Sequence, residues 1–546
     1  MMRIVVLRRL WRELVATMGL MVLVGCGGSG SRVQRTPPPV VTSVSPSYDF
    51  AAGPLLTVTA TGTGFDSSST ITINGAAHVT TFVSNVQLTS ALTSSDIAQP
   101  GTIEITVANA DGQVSSAFPF TVMDPTKSAI HAASLKTDGT QDPIQSNRGG
   151  DPWISANGRY VAFTLYAPIL GYAQTPAPQA FVRDTCNSAP AGCQPSTTLV
   201  AIYPDGSVVD DSSIGTLAGG ISSDGRFVSF ETDFNIFLRD TCAGASQTCL
   251  PQTFPVLSTP GGPTTGNYFG FAPVSGNGRY VSFQWNPGDG NDTVYVTDTC
   301  ANIAGPCTPN TQEVAFANDG TFVGGVDSGL SADGRYVAFQ SNLNGNIYVR
   351  DLCNGVNTGC TQQNIWVGVG GVQAFGGVRP MSPDGRYLSL IAVDGQVYVQ
   401  DTCIGANGGC VPSTIIASVA DDGTPANMQC DVSGITANGR FVIFSTYAAN
   451  LVPTDTNESE DMFVRDTCIG AVGTCTPQTV RISLAADGSE AEQPLDPYVV
   501  ISADGSYAAF DGYAQLVPGL IPDSLNVFIV RNGAYLSTID RASPTH

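Results

Sequence analysis

The stretch LSADGRYVAF at residues 330–339 decides the fold, because the chain writes it seven times. It appears as ISANGRYVAF (154–163), ISSDGRFVSF (221–230), VSGNGRYVSF (274–283) and LSADGRYVAF, then as MSPDGRYLSL (381–390), ITANGRFVIF (435–444) and ISADGSYAAF (501–510). Each copy is followed by a second short apolar-polar run: AFVRDTC, IFLRDTC, VYVTDTC, IYVRDLC, VYVQDTC, MFVRDTC or VFIVRNG. In the first six copies a C-x6-C loop then leads into another run, such as TTLVAI or QTVRISL. The spacing of 51 to 67 residues is that of a repeat architecture. Four short strands per unit and seven units predict a seven-bladed β-propeller over residues 125–546.

Labelling the strands of a blade a to d from axis to rim, antiparallel order puts the a–b and c–d connections on one face and the b–c and d–a connections on the other. The constant features, Asn/Asp-Gly turns and C-x6-C loops, share the first face. The Asn-Gly and Asp-Gly pairs read as two-residue hairpins with φ > 0. The phrase lacks the Thr-Trp ending of a sialidase Asp box. On the other face the b–c loops are short in blades 2, 4 and 5 (231–235, 340–346, 391–396) and long in blades 1, 6 and 7 (164–179, 445–461, 511–526). Blades 6, 7 and 1 become neighbours when the ring closes, so a ligand surface is expected there. For closure, Ile130 to Leu135 mimics an outer strand and is expected to pair with the seventh blade, with AYLSTI (534–539) competing for the same place.

Residues 40–124 show a different rhythm, with period-two alternation broken by Gly, Asn and Asp, which predicts a small β-sandwich. Pro46, Gly62-Thr63-Gly64-Phe65, Ile73-Asn74-Gly75 and Val107-Ala108-Asn109-Ala110-Asp111-Gly112 resemble the IPT/TIG immunoglobulin-like domain. That resemblance implies a fold and a spacer or interaction role, and no chemistry. The repeat phrases resemble TolB-like (WD-repeat-like) propellers of bacterial envelope proteins; the regular C-x6-C pair departs from that pattern, so no partner carries over. The expected fold class is all-β, an immunoglobulin-like sandwich followed by the propeller.

Residues 1–25 read as a signal peptide, with Arg3, Arg8, Arg9 and Arg12 ahead of an apolar run from Leu14 to Val24. Leu23-Val24-Gly25-Cys26 resembles a bacterial lipoprotein signal, which implies acylation at Cys26 and anchoring in a membrane. Gly27 after the Cys resembles the outer-membrane sorting pattern, facing either the periplasm or the cell surface. Residues 26–39 then form a Ser/Gly- and Pro-rich tether. The chain has 14 Cys, and twelve form pairs of one spacing: Cys186 with Cys193, Cys242 with Cys249, Cys300 with Cys307, Cys353 with Cys360, Cys403 with Cys410, and Cys468 with Cys475. Six local disulfides in an oxidising compartment are expected, with zinc as the rival reading. Cys430 is left over as a buried, inert thiol.

A net charge of −22 and only two Lys, Lys127 and Lys136, argue against nucleic acid as partner. Three His (His78, His131, His546) leave little for a His-ligated metal or a His-based triad. P-loop, GxSxG and HExxH motifs are absent from the sequence. The acids before each first Cys (Asp184, Asp240, Asp298, Asp351, Asp401, Asp466) read as edge charge and turn caps. Asp455, Asn457 and Asp461 place oxygens at alternate positions, a weak calcium pattern lacking the Gly and terminal Glu of an EF-type loop; no other cofactor is expected. Three functions stand in order: a non-enzymatic envelope lipoprotein contacting a protein or surface polymer, a carbohydrate- or peptide-binding propeller, and a polysaccharide hydrolase or lyase. Trp153, Trp285 and Trp366 look scattered, which weakens the second.

Overall fold

The structure is a computed structural model. It describes residues 38–533 apart from 46–47, 51–56, 100, 124–129, 138, 140, 142–148, 166–176, 190–192, 210–214, 233–234, 246–247, 258–261, 264–266, 270, 304, 357–358, 369–380, 407, 454, 472–473, 486–487 and 518–519. The signal peptide with Cys26, most of the tether and AYLSTI lie outside the described residues. Regular structure is β throughout, in two compact units whose C-terminal boundary falls at Phe120/Thr121. Among the described residues no helix is long and apolar enough to cross a membrane.

The first unit is a sandwich of a four-stranded and a five-stranded sheet. Its quoted residues carry identifiable loads. Asn74 and Gly75 both have positive φ (48° and 80°), as a two-residue hairpin requires. A side chain at Gly62 would sit 1.9 Å from the Val40 carbonyl oxygen. Asn109 is buried; its amide donates to the Gly64 carbonyl at 2.9 Å and its oxygen accepts from Ser69 Oγ at 2.6 Å. One Asn thus ties together two turns far apart in sequence.

The second unit holds seven sheets. Blade 1 runs Gly149–Ile154, Tyr160–Leu165, Gln179–Asp184 and Ser196–Leu199 as strands a to d, and the later blades repeat that order. Blade 5 shows strands b to d; its segment 369–380 lies outside the described residues. The Val/Ala-x-Phe ending of the phrase is the core: Phe163, Phe230, Phe283, Phe339, Phe444 and Phe510 on strands b are fully buried, each worth about 2–3 kcal/mol. Five of them stack against the aromatic of strand c in the same blade, as Phe283 does on Tyr295 at 5.6 Å.

The turn inside the phrase differs from the expected two-residue hairpin. In blade 1 the Gly158 N–H donates to the Ser155 carbonyl at 3.1 Å, and only the Gly is left-handed (φ 73°). That is the geometry of a type I turn followed by a glycine bulge. Asn157 is used through its side chain instead, accepting from Ser155 Oγ and the Arg159 N–H, both at 3.1 Å. Ser155 Oγ in turn accepts the Tyr160 N–H at 2.9 Å.

The glycine also closes the ring. A Cβ on Gly225 would lie 2.1 Å from the Tyr160 ring of the preceding blade. The same relation joins Gly278 to Phe227, Gly334 to Tyr280, Gly385 to Tyr336, Gly439 to Tyr387 and Gly505 to Phe441, and Gly158 of blade 1 to Tyr507 of blade 7. Seven turns therefore sit on seven aromatics in an unbroken circle. Backbone bonds reinforce it, among them Ser223 N–H to Gly276 O at 2.9 Å and Asp504 N–H to Ala156 O at 3.0 Å.

The expected closing strand is present. Ile130–Ala132 pairs antiparallel with Asn526–Arg531, Ile130 opposite Val530, as the outer strand of blade 7. It bonds directly to strand c, so no AYLSTI strand intervenes between the two. Past it, the Leu135 and Lys136 carbonyls accept from Arg183 of blade 1 at 3.1 Å. The N-terminal segment thus laces the last blade to the first.

Candidate binding site at the loop face of blades 6, 7 and 1

On the turn face each repeat acid has a partner. Arg159 grips Asp184 with two parallel bonds of 3.0 and 2.7 Å, and Arg226–Asp240, Arg279–Asp298, Arg335–Asp351, Arg386–Asp401 and Arg440–Asp466 repeat the fork. Each of these Arg lies over the aromatic that follows it, at 4.8–5.2 Å. Each Asp also accepts the N–H of the first Cys, at 2.9 Å in blade 1, and holds it left-handed (Cys186 φ 61°). The acids are therefore turn caps, as expected, and ion-pair partners, which edge charge alone did not anticipate.

All six C-x6-C pairs are disulfides with Cα–Cα distances of 5.7–5.8 Å. Cys186 bonds to Cys193, Cys242 to Cys249, Cys300 to Cys307, Cys353 to Cys360, Cys403 to Cys410, and Cys468 to Cys475. The expected disulfides are all present, and their second cysteines also pack on the fork, as Cys475 illustrates. The Arg440 Nη2 lies 3.5 Å from Cys475 Sγ, and the Asp466 carboxylate lies 3.9 Å from the same sulfur. The second Cys of the pair thus packs directly on the fork, because the short loop returns its sulfur to the carboxylate that caps the first. Cys193, Cys249, Cys307 and Cys410 meet Arg159, Arg226, Arg279 and Arg386 at 3.5–3.8 Å in the same way. Each carboxylate and its two sulfurs lie close enough to suggest a metal, but the sulfurs bond to each other and the carboxylate to Arg. Cys430 is free and buried, and burial pushes its thiol up to about 11.

A second set of arginines, the Arg that directly precedes the repeat Asp in four of the quoted runs, lies on strands c. Arg183, Arg350 and Arg465 reach back to carbonyls of the preceding d–a connection, and burial lowers the pKa of each.

The loop face differs. Inner strands carry β-bulges, between Gly150/Trp153, Cys430/Ser433 and Leu495/Val499 among others, which re-aim side chains. Asp151, Asp431 and Asp496 fall at these bulges. Asp151 has φ 46°, and its N–H donates to Asp511 Oδ2 at 3.3 Å. Glu460, just before blade 6 strand c, is 4% exposed and faces the hydroxyls of Ser445 and Tyr447 and the carboxyl of Asp431. Burial, with Asp431 beside it, pushes Glu460 up to about 7. Desolvation also raises Asp431 and Asp496. Tyr447 is raised first by the charge of Glu460, and Tyr513 by burial and then by Asp496 and Asp511. This cluster spans blades 6 and 7 and reaches blade 1, where loop length placed a ligand surface.

The same inner strands gather aromatics. Phe271 of blade 3 contacts Trp153 of blade 1 at 5.8 Å and Tyr498 of blade 7 at 5.9 Å, both edge to face. Blade 2 lies between them in the ring, and its inner strand carries Gly219 and Gly220 against Ala272 of blade 3. Trp153 Nε1 donates to the Ala218 carbonyl at 3.1 Å. Trp153 is therefore not isolated, while Trp285 is buried in the core of blade 3.

The calcium candidates come together, but around a guanidinium. Arg481 Nη1 lies 3.4 Å from Asp455, 3.1 Å from Asp461 and 2.8 Å from Glu490. Asn457 reaches Asp461 as well, and its amide donates to the Ala491 carbonyl at 3.3 Å. Burial, then the neighbouring Asp461, raises Asp455 to about 6. A cleft of about 740 Å³ lies at the seam of blades 7 and 1, lined by His131, Leu135, Gln141, Arg183, Leu520 and Ile521. Its Gln141 and Arg183 are already bonded to Asn526 and to Leu135.

Residues 39–122 match the model of the IPT/TIG domain. No curated protein matches the chain. Among solved structures the chain is similar to the Cps50 (Swd1) β-propeller domain of Myceliophteria thermophila, at 12% identity over 70% of this chain and 97% of that one, TM-score 0.40. It is similar to the propeller domain of the trilobed protease from Pyrococcus furiosus, at 10% identity over 71% and 95%, TM-score 0.37. It is also similar to a putative TolB from Agrobacterium tumefaciens, at 15% identity over 58% and 90%, TM-score 0.31. The chain joins an IPT/TIG immunoglobulin-like domain to a β-propeller of seven sheets.

Proposed function

We propose that the chain is a non-enzymatic binding protein of the bacterial envelope, lipid-anchored through Cys26. In this reading it takes a protein or surface polymer at the loop face of blades 6, 7 and 1, with the IPT/TIG domain as spacer. The observation that carries it is the contrast in bonding: the turn face uses its charges internally, while the loop face gathers Glu460, Asp431 and Asp496 with no Arg, Lys or His facing them among the described residues. Function concentrates on irregular loops over a rigid scaffold. The aromatic group of Trp153, Phe271 and Tyr498 favours a second reading, a carbohydrate or peptide seated on ring faces in the central channel.

The test is capture from envelope extracts beside a glycan array, using wild type, Asp431→Asn/Asp496→Asn and Trp153→Ala/Tyr498→Ala. Loss of captured protein in the first double variant supports the leading reading. Loss of a glycan signal in the second supports the alternative. Full retention of every ligand by both variants overturns the site. Anchoring is tested separately: Cys26→Ala should leave the protein soluble or unprocessed, and its retention in carbonate-washed membranes overturns acylation.

A further inference from the structure

Arg183, on strand c of blade 1, is 6% exposed and has no carboxylate of its own among the described residues. Only its Nη1 is used: it donates to the Leu135 and Lys136 carbonyls at 3.1 Å and to Thr197 Oγ1 at 2.8 Å. Nε and Nη2 bond to none of the described residues, and Asp184, next in the chain, is held by Arg159. Blade 6 shows the missing partner. There Arg465 stands at the same register, with Asp421 of the preceding d–a connection 3.5 Å from it and accepting the Thr479 N–H at 2.7 Å. In blade 1 that place belongs to Thr137, whose hydroxyl accepts the Thr197 N–H at 3.1 Å and brings no charge. Arg183 lines the 740 Å³ cleft at the seam of blades 7 and 1. Asn187 of the same blade lines it too, and its Nδ2 is buried with no hydrogen-bond partner. The rest of the lining is largely apolar: Val517, Leu520, Ile521 and Ile529 of blade 7, and Leu135.

We propose that this cleft binds an aliphatic carboxylate, its head on Arg183 and Asn187 and its hydrocarbon among Leu135, Val517, Leu520, Ile521 and Ile529. The site is a second one, independent of the acids on the loop face. Its argument is charge complementarity. A buried guanidinium without an anion is costly, and a ligand that brings the anion removes that cost. The two nitrogens left over, Nε and Nη2, form one planar edge that matches the two oxygens of a carboxylate. The fold already uses that edge in this way: Arg159 holds Asp184 through Nε and Nη2 at 3.0 and 2.7 Å, and Arg440 holds Asp466 through the same pair at 2.9 Å. Asn187 Nδ2 adds one further donor. The cleft lies within the usual volume of small-molecule sites, and its apolar lining offers water few partners but suits a hydrocarbon chain.

The experiment is calorimetric titration of the full chain, carrying Cys26→Ala to keep acyl groups off the protein, with octanoate and decanoate, and with acetate and octanol as further arms. Arg183 also ties the closing segment to blade 1, so the variants leave it in place. Asn187→Asp sets a like charge against the ligand's head, and Leu520→Trp fills the space for its tail. Octanoate should bind, at least tenfold more tightly than octanol, and the affinity should rise about fourfold per added methylene toward decanoate. A weakening of at least tenfold in Asn187→Asp and in Leu520→Trp, with no change in Leu250→Ala, supports the proposal; Leu250 is an exposed leucine of blade 2, 82% accessible, so that variant controls for general adhesion to apolar surface. Octanol binding as tightly as octanoate means that no charge is read and overturns it. Acetate binding as tightly as octanoate means an anion site without a hydrocarbon channel and also overturns it. Equal octanoate binding by the wild-type cleft and both cleft variants places the ligand elsewhere, and no binding of octanoate or decanoate removes the site; either result overturns the proposal. A circular dichroism melt of each variant separates loss of binding from loss of fold.

Discussion

The two faces of the propeller handle charge in opposite ways. On the turn face six arginines meet six aspartates in the same fork, one per blade, and each Asp also fixes the Cys that opens its disulfide loop. Blade 7 lacks the disulfide loop and loses both partners together, with Ser506 where the others have Arg and Arg531 where they have Asp. On the loop face of blades 6 and 7 the carboxylates crowd one another instead. The lesson is that this scaffold neutralises charge wherever charge is structural, so uncompensated charge marks the surface left for something else.

The largest effect should come from opening the ring. Removing residues through Asp138 deletes the outer strand of blade 7, with buried Ile130 and Ala133, and the carbonyls that hold Arg183. A chain starting at Gly139 should lose on the order of 4 kcal/mol in denaturant unfolding, whereas one starting at Pro125 should match the intact propeller. Equal midpoints for the two would mean that the ring closes without that strand.

Next comes the turn glycine. Gly278→Ala places a Cβ 2.2 Å from the Phe227 ring at φ 75°, so steric conflict adds to backbone strain, and a loss of about 3 kcal/mol is expected. Gly206, on the d–a connection, has φ 87° but open space around it, so Gly206→Ala should cost only about 1 kcal/mol. The difference measures the inter-blade contact alone. Similar losses at both positions would show that the circle of glycines and aromatics contributes little.

Breaking one fork should cost less. Asp466→Ala removes two bonds of 2.9 Å to Arg440 and the cap on the Cys468 N–H, with the Asp side chain only 2% exposed. Because Arg440 keeps part of its surface in water, about 2 kcal/mol is expected from urea titration, and little change in capture of any ligand on the other face. Loss of capture without loss of stability would show that the turn face also binds.

The repeat, the disulfide pairing and the closing strand were legible in the sequence because each is a local pattern copied at fixed phase. The Arg–Asp fork was legible in principle and missed. Its partners are 14 to 26 residues apart, so no single spacing reveals it. The signal is their joint presence in six repeats and joint loss at Ser506 and Arg531. The meeting of Trp153, Phe271 and Tyr498 was not legible, because it depends on ring closure and on bulges that shift strand register by positions the alternation pattern does not record. The acidic cluster was legible only as a place, through loop length in blades 6, 7 and 1. Which acids remain uncompensated depends on Arg481 having chosen Asp455 and Asp461.

The last expected effect concerns that acidic cluster and has the opposite sign. Glu460 sits at about 7 in the fold against 4.5 for a free side chain, because burial penalises its charge. A carboxyl with a raised folded pKa binds its proton more tightly in the native state than in the unfolded one. Its favourable contribution is complete below about pH 4.5 and is lost as pH rises through 7. Asp431 and Tyr447 face the same carboxyl, and Cys430 lies beside Asp431, but the thiol stays protonated throughout this range. Glu460→Gln keeps the shape and cannot ionise, so it should leave stability unchanged at pH 4.5 and raise it by about 2 kcal/mol at pH 8.5. Urea midpoints of both proteins at the two pH values measure this difference directly, and the remaining titrations cancel between them. A variant less stable than wild type at pH 8.5 would mean that the ionised Glu460 is held by a favourable partner within the chain, and the contrast between the two faces would then fail at its sharpest point.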